Sequence, residues 1–199
     1  MPPHHPNDDA AYAERLARLQ GRWWKRLLDV QRPYRWYLRK LQLGFVLDLG
    51  CGLGRSLINA GGNGVGVDVN PYAVQQARVR GLEAYEPEEF ALTKWSQPGS
   101  FDSLILAHVV EHMHFDQAQT LLSTYLPLVK KGGTVVLIAP QERGFASDPT
   151  HVEMFGFPSL QNLLENCNVR MKRSESFPLP RWMGHVFPHN EFVVIGEQP

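Results

Sequence analysis

The chain has 199 residues, of which 43% are hydrophobic and 20% are charged. This composition is typical of a soluble globular protein and argues against wholesale disorder. No apolar run approaches the roughly 18 residues that a membrane-spanning helix needs. Only two cysteines occur, Cys51 and Cys167, which excludes a disulfide framework and predicts a cytoplasmic protein.

The formal net charge is zero, but the charge is unevenly distributed along the chain. Residues 1–45 carry nine Lys/Arg and four Asp/Glu, a net charge of +5, whereas the remaining residues carry eleven and sixteen, a net charge of −5. The first ten residues are polar and proline-rich, and they predict a flexible tail rather than a signal peptide. Apolar side chains from Tyr12 to Val30 then recur at helical spacing until Pro33 interrupts the pattern.

We therefore predict two parts: a flexible tail and basic aromatic helical segment over residues 1–44, and the main domain over residues 45–199. The helical segment is expected to pack on the main domain and to help form the mouth of a substrate site. An additional role also fits its basic and aromatic side chains, namely contact with a membrane surface or a nucleic acid. The oligomeric state stays open.

After residue 44, short apolar runs alternate with helical patterns. Strands are predicted over 45–50, 64–69, 82–85, 101–107, 134–140, 169–176 and 191–196, and helices over 54–60, 71–80, 115–130 and 159–167. This alternation predicts an α/β fold with a doubly wound, seven-stranded and mostly parallel sheet. No helix separates the last two strands, which predicts an antiparallel edge strand.

A glycine-rich segment, DLGCGLG over residues 48–54, connects the first strand to a helix. Its three glycines remove the side chains that would keep a ligand from the backbone, and Asp68 ends the second strand where an acid can bond ribose hydroxyls. A dinucleotide loop would read G-x-G-x-x-G, but Arg55 stands at the last of those positions. Asp48 would also repel a pyrophosphate, so the segment predicts a ligand that carries a cationic amine.

Four segments resemble the class I S-adenosylmethionine-dependent methyltransferases, particularly the small-molecule group. They are VLDLGCGLGRSL, GVGVDVNPYAV, FDSLILAHVVEHM and LVKKGGTVVLIAP. The resemblance covers roughly residues 45–170 and implies a Rossmann-like fold with S-adenosyl-L-methionine as the cofactor.

The resemblance also implies a set of cofactor-binding residues around the ends of the first four strands. Asp48 would lie near the methionine amino group and Asp68 at the ribose. An acid that accepts a bond from the adenine amino group would be Glu86 or Glu88, and the choice stays open. The full set is Asp48, Gly50, Cys51, Gly52, Gly54, Asp68, Val69, Asn70, Glu86 and the backbone of Ala107.

The segment HVVEH, residues 108–112, follows the fourth strand, where open α/β sheets place their chemistry. Its H-x-x-E-H spacing matches a zinc-protease signature, but that site needs a regular helix and has no glycine loop. Three interpretations remain for His108, Glu111 and His112, the predicted catalytic residues. They order the helix start and shape the pocket, or a histidine is a general base, or Glu111 and His112 bind a divalent metal with a distant histidine.

The metal interpretation rests on a narrower resemblance. Small-RNA 3′-terminal 2′-O-methyltransferases and some ubiquinone-pathway O-methyltransferases have a similar acid-x-x-Glu-His pattern, which holds a divalent ion. Here His108 replaces the first acid, which favours manganese, iron or zinc over magnesium or abolishes the site. His151 could supply a further ligand. The sequence alone assigns no metal ligand, and the ion stays an open alternative.

Two long polar connections, 140–157 and 177–192, are expected to border the substrate site, the first as a lid. Both also fit ordinary surface loops. The fourth strand is not followed by the loops typical of base-amine or arginine methylation, so an oxygen acceptor is expected. We predict O-methylation of a small metabolite, glycan or lipid-linked acceptor. The alternatives are an RNA 2′-O-methyltransferase with a divalent metal and a non-catalytic, cofactor-binding docking module.

Overall fold

The protein is described here by a computed structural model that covers residues 31–199. The predicted tail and the predicted helix over residues 12–30 lie outside this range. The helices are α1 (Arg32–Lys40), α2 (Arg55–Ala60), α3 (Pro71–Val79), α4 (Pro87–Ala91), α5 (Phe115–Tyr125), α6 (Glu142–Phe145) and α7 (Phe157–Asn166). The strands are β1 (Val46–Leu49), β2 (Gly64–Val67), β3 (Glu83–Tyr85), β4 (Phe101–Ala107), β5 (Val129–Pro140), β6 (Arg170–Phe177) and β7 (Glu191–Glu197).

All seven strands form one sheet in the order β3-β2-β1-β4-β5-β7-β6. The pairs from β3 to β5 are parallel, and β7 runs antiparallel to both of its neighbours. The predicted seven-stranded, mostly parallel sheet is therefore confirmed. The reversed strand β7 lies one position in from the edge, because the β6–β7 connection carries the chain back between β5 and β6.

Both faces of the sheet are covered by helices, as a doubly wound fold requires. Successive side chains of a strand point to opposite faces, and the two hydrophobic clusters divide accordingly. Leu47 and Leu104 pack with helices α4, α5 and α7, whereas Val46 and Ile105 pack with α1 and α2. The core therefore lies in two layers that fix the sheet, and with it the carboxyl ends of β1, β2 and β4.

One predicted element differs from the structure. The helix predicted over 115–130 ends at Tyr125, a short 3-10 turn spans Leu126–Leu128, and β5 begins at Val129. Pro127 explains the early end, because proline has no amide hydrogen with which to continue the helical hydrogen bonds. Lys130 consequently lies in a strand, where its Nζ is 2.6 Å from Asp102. The cations and glycines at 130–133 were misread as a helix terminus.

Helix α1 packs against the main domain. Pro33 lies in its first turn, where a missing amide hydrogen costs little, so it begins a helix rather than ending one. Tyr37 and Leu38 are buried in the sheet-facing cluster. Among the described residues, no helix is long and apolar enough to span a bilayer.

Candidate functional site

The glycine loop turns sharply between β1 and α2. Gly50 and Gly52 have φ angles of 65° and 53°, which side chains rarely adopt. A Cβ on Gly50 would lie 2.3 Å from a methyl group of Val109, so this glycine is required by packing. A Cβ on Gly52 would meet no atom within 4 Å. The backbone at Gly52 is therefore open to a ligand.

A cavity of about 310 Å³ lies at the carboxyl ends of β1, β2 and β4. Of the predicted cofactor-binding residues, Gly50, Cys51, Gly52, Asp68, Val69, Asn70 and Ala107 line it. His108 and His112 line it as well, so the loop and the HVVEH segment meet at one cavity. Its volume is near the lower limit of small-molecule sites.

Asp68 is tied to the loop across the cavity floor. One of its carboxylate oxygens accepts a hydrogen bond from the amide of Gly52 at 2.7 Å, and the other accepts from the amide of Asn70 at 2.9 Å. A carboxylate has about four acceptor positions, and these two amides occupy two of them. The geometry holds this acid at the cavity edge in a fixed orientation.

Asp48 lies behind the loop and outside the cavity lining. Its side chain is buried, with 1% of its surface exposed, and it accepts a hydrogen bond from the amide of Leu57. Burial raises the pKa of Asp48 to about 7, against which the Leu57 hydrogen bond acts. The predicted contact of Asp48 with an amino group stays a prediction. Gly54 also lies outside the lining, because its α-carbon faces Leu82.

Neither acid predicted for adenine lines the cavity. Glu86 caps the amino end of α4 in a reciprocal arrangement with Glu89, and Glu88 lies in the first turn of that helix. The adjacent Pro87 is the residue of this segment that borders the cavity. The assignment of Glu86 therefore stays a prediction without a supporting contact.

The HVVEH segment is not a regular α-helix; Val110–His112 forms a single 3-10 turn. His108 has a φ angle of 59°, which is strained for a residue with a side chain. Its Nδ1 lies 3.2 Å from Oε1 of Glu111, and its Nε2 lies 2.8 Å from Oε1 of Glu191. Burial lowers the pKa of His108, but the two carboxylates outweigh it and raise the pKa to about 10. A histidine held in this way is poorly suited to remove a proton.

His112 has different surroundings. Its Nδ1 lies 3.3 Å from the carbonyl oxygen of Thr150. Burial lowers the pKa of His112, although the nearby Glu111 acts in the opposite direction. At neutral pH the ring is therefore uncharged, and the residue lines the cavity. Of the two histidines predicted as a general base, His112 is the one that the geometry favours.

Comparisons with known proteins identify the domain. A family described as "Methyltransferase domain" matches residues 46–133. A ubiquinone biosynthesis O-methyltransferase of Xanthomonas euvesicatoria is 29% identical over 141 residues, which is 62% of this chain and 58% of that protein. The chain thus spans less than two thirds of the length of the curated relatives that it matches.

Solved structures show the same fold. A methyltransferase from Archaeoglobus fulgidus superposes with a TM-score of 0.68 at 20% identity, covering 96% of this chain and all of that one. The magnesium protoporphyrin IX methyltransferase of Synechocystis, solved with bound SAH, superposes with a TM-score of 0.68 at 13% identity, covering 98% of each chain. The predicted class I, Rossmann-like methyltransferase fold is confirmed.

A second feature of this methyltransferase domain is a group of possible metal ligands beside the cavity. Glu111, His112 and His151 each offer a ligand atom, and these atoms lie within 4.8 Å of one another. Oε2 of Glu111 is buried and has no hydrogen-bond partner among the described residues. Nδ1 of His112 faces the carbonyl of Thr150, and Nδ1 of His151 lies 2.8 Å from the carbonyl of Phe145.

This arrangement fits a divalent ion. Histidines that bind metals commonly donate their other ring hydrogen to a carbonyl, as both rings can here, and so present Nε2 as the ligand atom. His108 is not part of the group, because both of its nitrogens face carboxylates. The expectation that His108 would itself select the ion therefore loses its basis. His151 supplies the second imidazole instead, which still favours manganese, iron or zinc over magnesium.

The two polar connections differ from their predicted roles. The segment 140–157 contacts the HVVEH turn rather than lining the cavity: the amide of Val152 donates to the carbonyl of Glu111 at 2.7 Å. In the connection 177–192, Arg181 pairs with Glu142, and Asn190 bonds to the amide of Leu179. These polar groups of the second connection serve the fold, in agreement with the surface-loop interpretation.

Several cavity residues were not predicted from the sequence. Leu121 and Tyr125 border the cavity from α5, and their four-residue spacing on one helical face was a usable signal. Arg55 and Ser56 follow the glycine loop directly and could have been included by proximity. Glu191, the partner of His108, had no signal, because it lies 83 residues further along the chain.

Proposed function

We propose that the chain is a cytoplasmic S-adenosyl-L-methionine-dependent methyltransferase that acts on a hydroxyl of a small metabolite, glycan or lipid-linked molecule. The observation that carries this proposal is the cavity where Gly52 leaves its backbone open and Asp68 is held at the edge. The names of the curated relatives support an oxygen acceptor. Free, buried Cys51 and Cys167 support a reducing compartment.

The cavity residues suit this donor. Bound there, S-adenosyl-L-methionine would supply a sulfonium methyl group, which the acceptor oxygen attacks as the carbon–sulfur bond breaks. Asp68 would accept hydrogen bonds from the ribose hydroxyls, with its orientation already fixed by two backbone amides. Much of the rate enhancement would come from holding oxygen and methyl carbon in line at short distance.

Removal of the acceptor proton falls to His112 in this proposal. It lines the cavity, and burial keeps its ring neutral at pH 7. The proton of the hydroxyl would pass to the imidazole as the oxygen–carbon bond forms and the carbon–sulfur bond breaks. The sulfonium would thereby become a neutral thioether, and the positive charge would end on the imidazole. As a second possibility, Glu111, His112 and His151 would hold a divalent ion that lowers the pKa of the hydroxyl.

Calorimetry on the purified chain tests donor binding. We expect S-adenosyl-L-methionine to bind wild-type protein in the micromolar range, and Asp68→Ala to weaken binding at least about tenfold, since it removes two hydroxyl acceptors. Glu165→Ala is the matched control: it removes an exposed acid of α7 outside the cavity and should bind like wild type. Equal binding by Asp68→Ala and wild type would refute the cofactor assignment.

The two roles of His112 are separated by metal analysis. A stoichiometric ion in the purified or metal-supplemented protein, lost in both His112→Ala and His151→Ala, would support the metal site. Exposed His185 provides the control variant, His185→Ala, which should keep the ion. Absence of any ion after supplementation, with activity lost only in His112→Ala, would support the general base.

The acceptor and the anionic partner need separate experiments. Helix α1 exposes Trp36, Arg32, Arg39 and Lys40 and has no acidic residue, which supports contact with an anionic surface. Labelled S-adenosyl-L-methionine and a fractionated extract would reveal which fraction accepts the methyl group. Labelled RNA with binding that weakens steeply with salt would favour the RNA alternative.

A further inference from the structure

A partly buried network of hydrogen bonds connects α1, β7 and the HVVEH turn. The hydroxyl of Tyr34 lies 3.1 Å from Oε1 of Glu191 and 2.9 Å from the carbonyl oxygen of His189, so its hydrogen is shared between these acceptors. The same Glu191 oxygen lies 2.8 Å from Nε2 of His108. Nδ1 of His108 in turn lies 3.2 Å from Oε1 of Glu111. The His108 ring therefore joins β7 to the HVVEH turn, and α1 is linked to it through Glu191.

We propose that Glu191 and Tyr34 are positioning residues that act through His108 on the carboxylate of Glu111. In this role they hold Glu111 with Oε1 engaged and Oε2 available to a metal ion bound with His112 and His151. The inference rests on the metal form of the proposed function. It assigns no contact between Glu191 or Tyr34 and the ion.

Two independent features argue that this hydrogen-bond network is more than a structural ion pair. The first is the backbone of His108, whose φ angle of 59° is costly for a residue with a side chain and persists only where the surroundings enforce it. The second is Glu111, which is fully buried while its Oε2 lacks a hydrogen-bond partner among the described residues. A purely structural carboxylate would be expected to have both oxygens satisfied.

Glu191 determines where the His108 ring can lie. With both nitrogens facing carboxylates, the ring cannot rotate without breaking a hydrogen bond, and Tyr34 fixes Glu191 in the same way. If Glu191 is truncated, the ring is held on one side only, and Glu111 can change its rotamer. Outer partners of this kind typically affect metal affinity by about 10–100-fold.

The fold supplies a matched control on the neighbouring strand. The hydroxyl of Tyr37, one turn along α1, donates to Glu175 of β6 in a second tyrosine–glutamate pair. This pair also ties α1 to the sheet, but no hydrogen bond extends from it to His108 among the described contacts. If Glu191 affects metal binding only by holding α1 on the sheet, removing Glu175 should weaken metal binding as much as removing Glu191 does.

The test is Mn²⁺ binding to the full chain, measured by calorimetry beside thermal unfolding. We expect Glu191→Ala to weaken Mn²⁺ binding about tenfold or more, and Glu191→Gln, which keeps an acceptor oxygen, to restore most of it. Glu175→Ala should bind Mn²⁺ like wild type. If Glu191→Ala does not fold, Tyr34→Phe replaces it, with an expected loss of about threefold, since one of the bonds that hold Glu191 is removed.

Three outcomes would overturn the proposal: wild-type affinity in Glu191→Ala, wild-type affinity in Tyr34→Phe where it is the replacement, or equal losses in Glu191→Ala and Glu175→Ala. Absence of Mn²⁺ binding by wild-type protein would overturn it too. In that last case, titration with S-adenosyl-L-methionine still decides the methyltransferase assignment, because Asp68 and the glycine loop lie outside the metal group.

Discussion

Two acids at the glycine loop lie at different depths in the protein. Asp68 borders the cavity with both oxygens bonded to amides, whereas Asp48 is buried behind the loop. The sequence predicted both as ligand contacts because it shows their spacing but not their depth. How deeply each acid is buried depends on which face of β1 other elements pack against, and the sequence alone does not show that packing.

Replacement of Asp48 by asparagine should stabilise the ligand-free protein at high pH. The folded-state pKa of about 7 lies above the reference value of 3.8, so the contribution of this group to stability is full below pH 4 and is lost as pH rises through 7. The gap in unfolding free energy between Asp48→Asn and wild type should therefore widen between pH 4 and 7, by at most about 4 kcal/mol. Urea titrations at pH 5 and pH 8 measure it.

Asp102→Asn is the control with the opposite sign. A hydrogen bond from Lys130 lowers the pKa of Asp102, so its contribution is present at neutral pH and is lost as pH falls through the folded-state pKa. At pH 8, Asp102→Asn should therefore be less stable than wild-type protein. A gap for Asp48→Asn that stays constant between pH 5 and pH 8 would contradict the assigned pKa shift.

The glycines of the loop should respond differently to alanine. Both Gly50→Ala and Gly52→Ala incur the strain of a positive φ angle, about 1–2 kcal/mol each. Gly50→Ala should lose a further 1–3 kcal/mol, approximately, because the new methyl group would lie 2.3 Å from Val109. Gly52→Ala should instead mainly weaken binding of S-adenosyl-L-methionine. Chemical unfolding and calorimetry separate the two effects, and a reversed order would contradict the proposed ligand side of the loop.

At the scale of elements, hydrophobic periodicity predicted the seven strands and most helices. It was least reliable where one residue decides, as at Pro127, which ends α5 before the predicted terminus. The candidate site was also predictable only in part. Residues of the glycine loop that are adjacent in sequence were predicted correctly to line the cavity. The partnership of His108 with Glu191 was not, because it forms only when β7 inserts beside β5.

Helix α1 provides a test of where the domain begins. Leu38 is buried against the sheet, whereas Trp36 is 62% exposed on the opposite side of the helix. Leu38→Ala should therefore destabilise the protein by about 2–5 kcal/mol, and Trp36→Ala by less than about 1 kcal/mol. Urea unfolding of the full chain measures both. Equal losses of stability in the two variants would indicate that α1 does not unfold together with the domain. That result would agree with the predicted domain boundary at residue 45.

At the scale of the whole molecule, the parallel sheet brings the ends of β1, β2 and β4 to one edge, and the cavity forms there. The loop provides an open backbone, and the HVVEH turn brings a neutral histidine to the same cavity. Topology therefore brings together the proposed donor site at Asp68 and the proposed proton acceptor His112, which are separated by more than 40 residues in the sequence.

A crystal structure with S-adenosylhomocysteine tests this account most directly. We predict that the ribose hydroxyls will bond to Asp68, that the ligand will pass against the backbone of Gly52, and that the sulfur will face the side of the cavity where His112 lies. A ligand bound elsewhere, or a cavity that admits a nicotinamide dinucleotide and not this compound, would contradict the account.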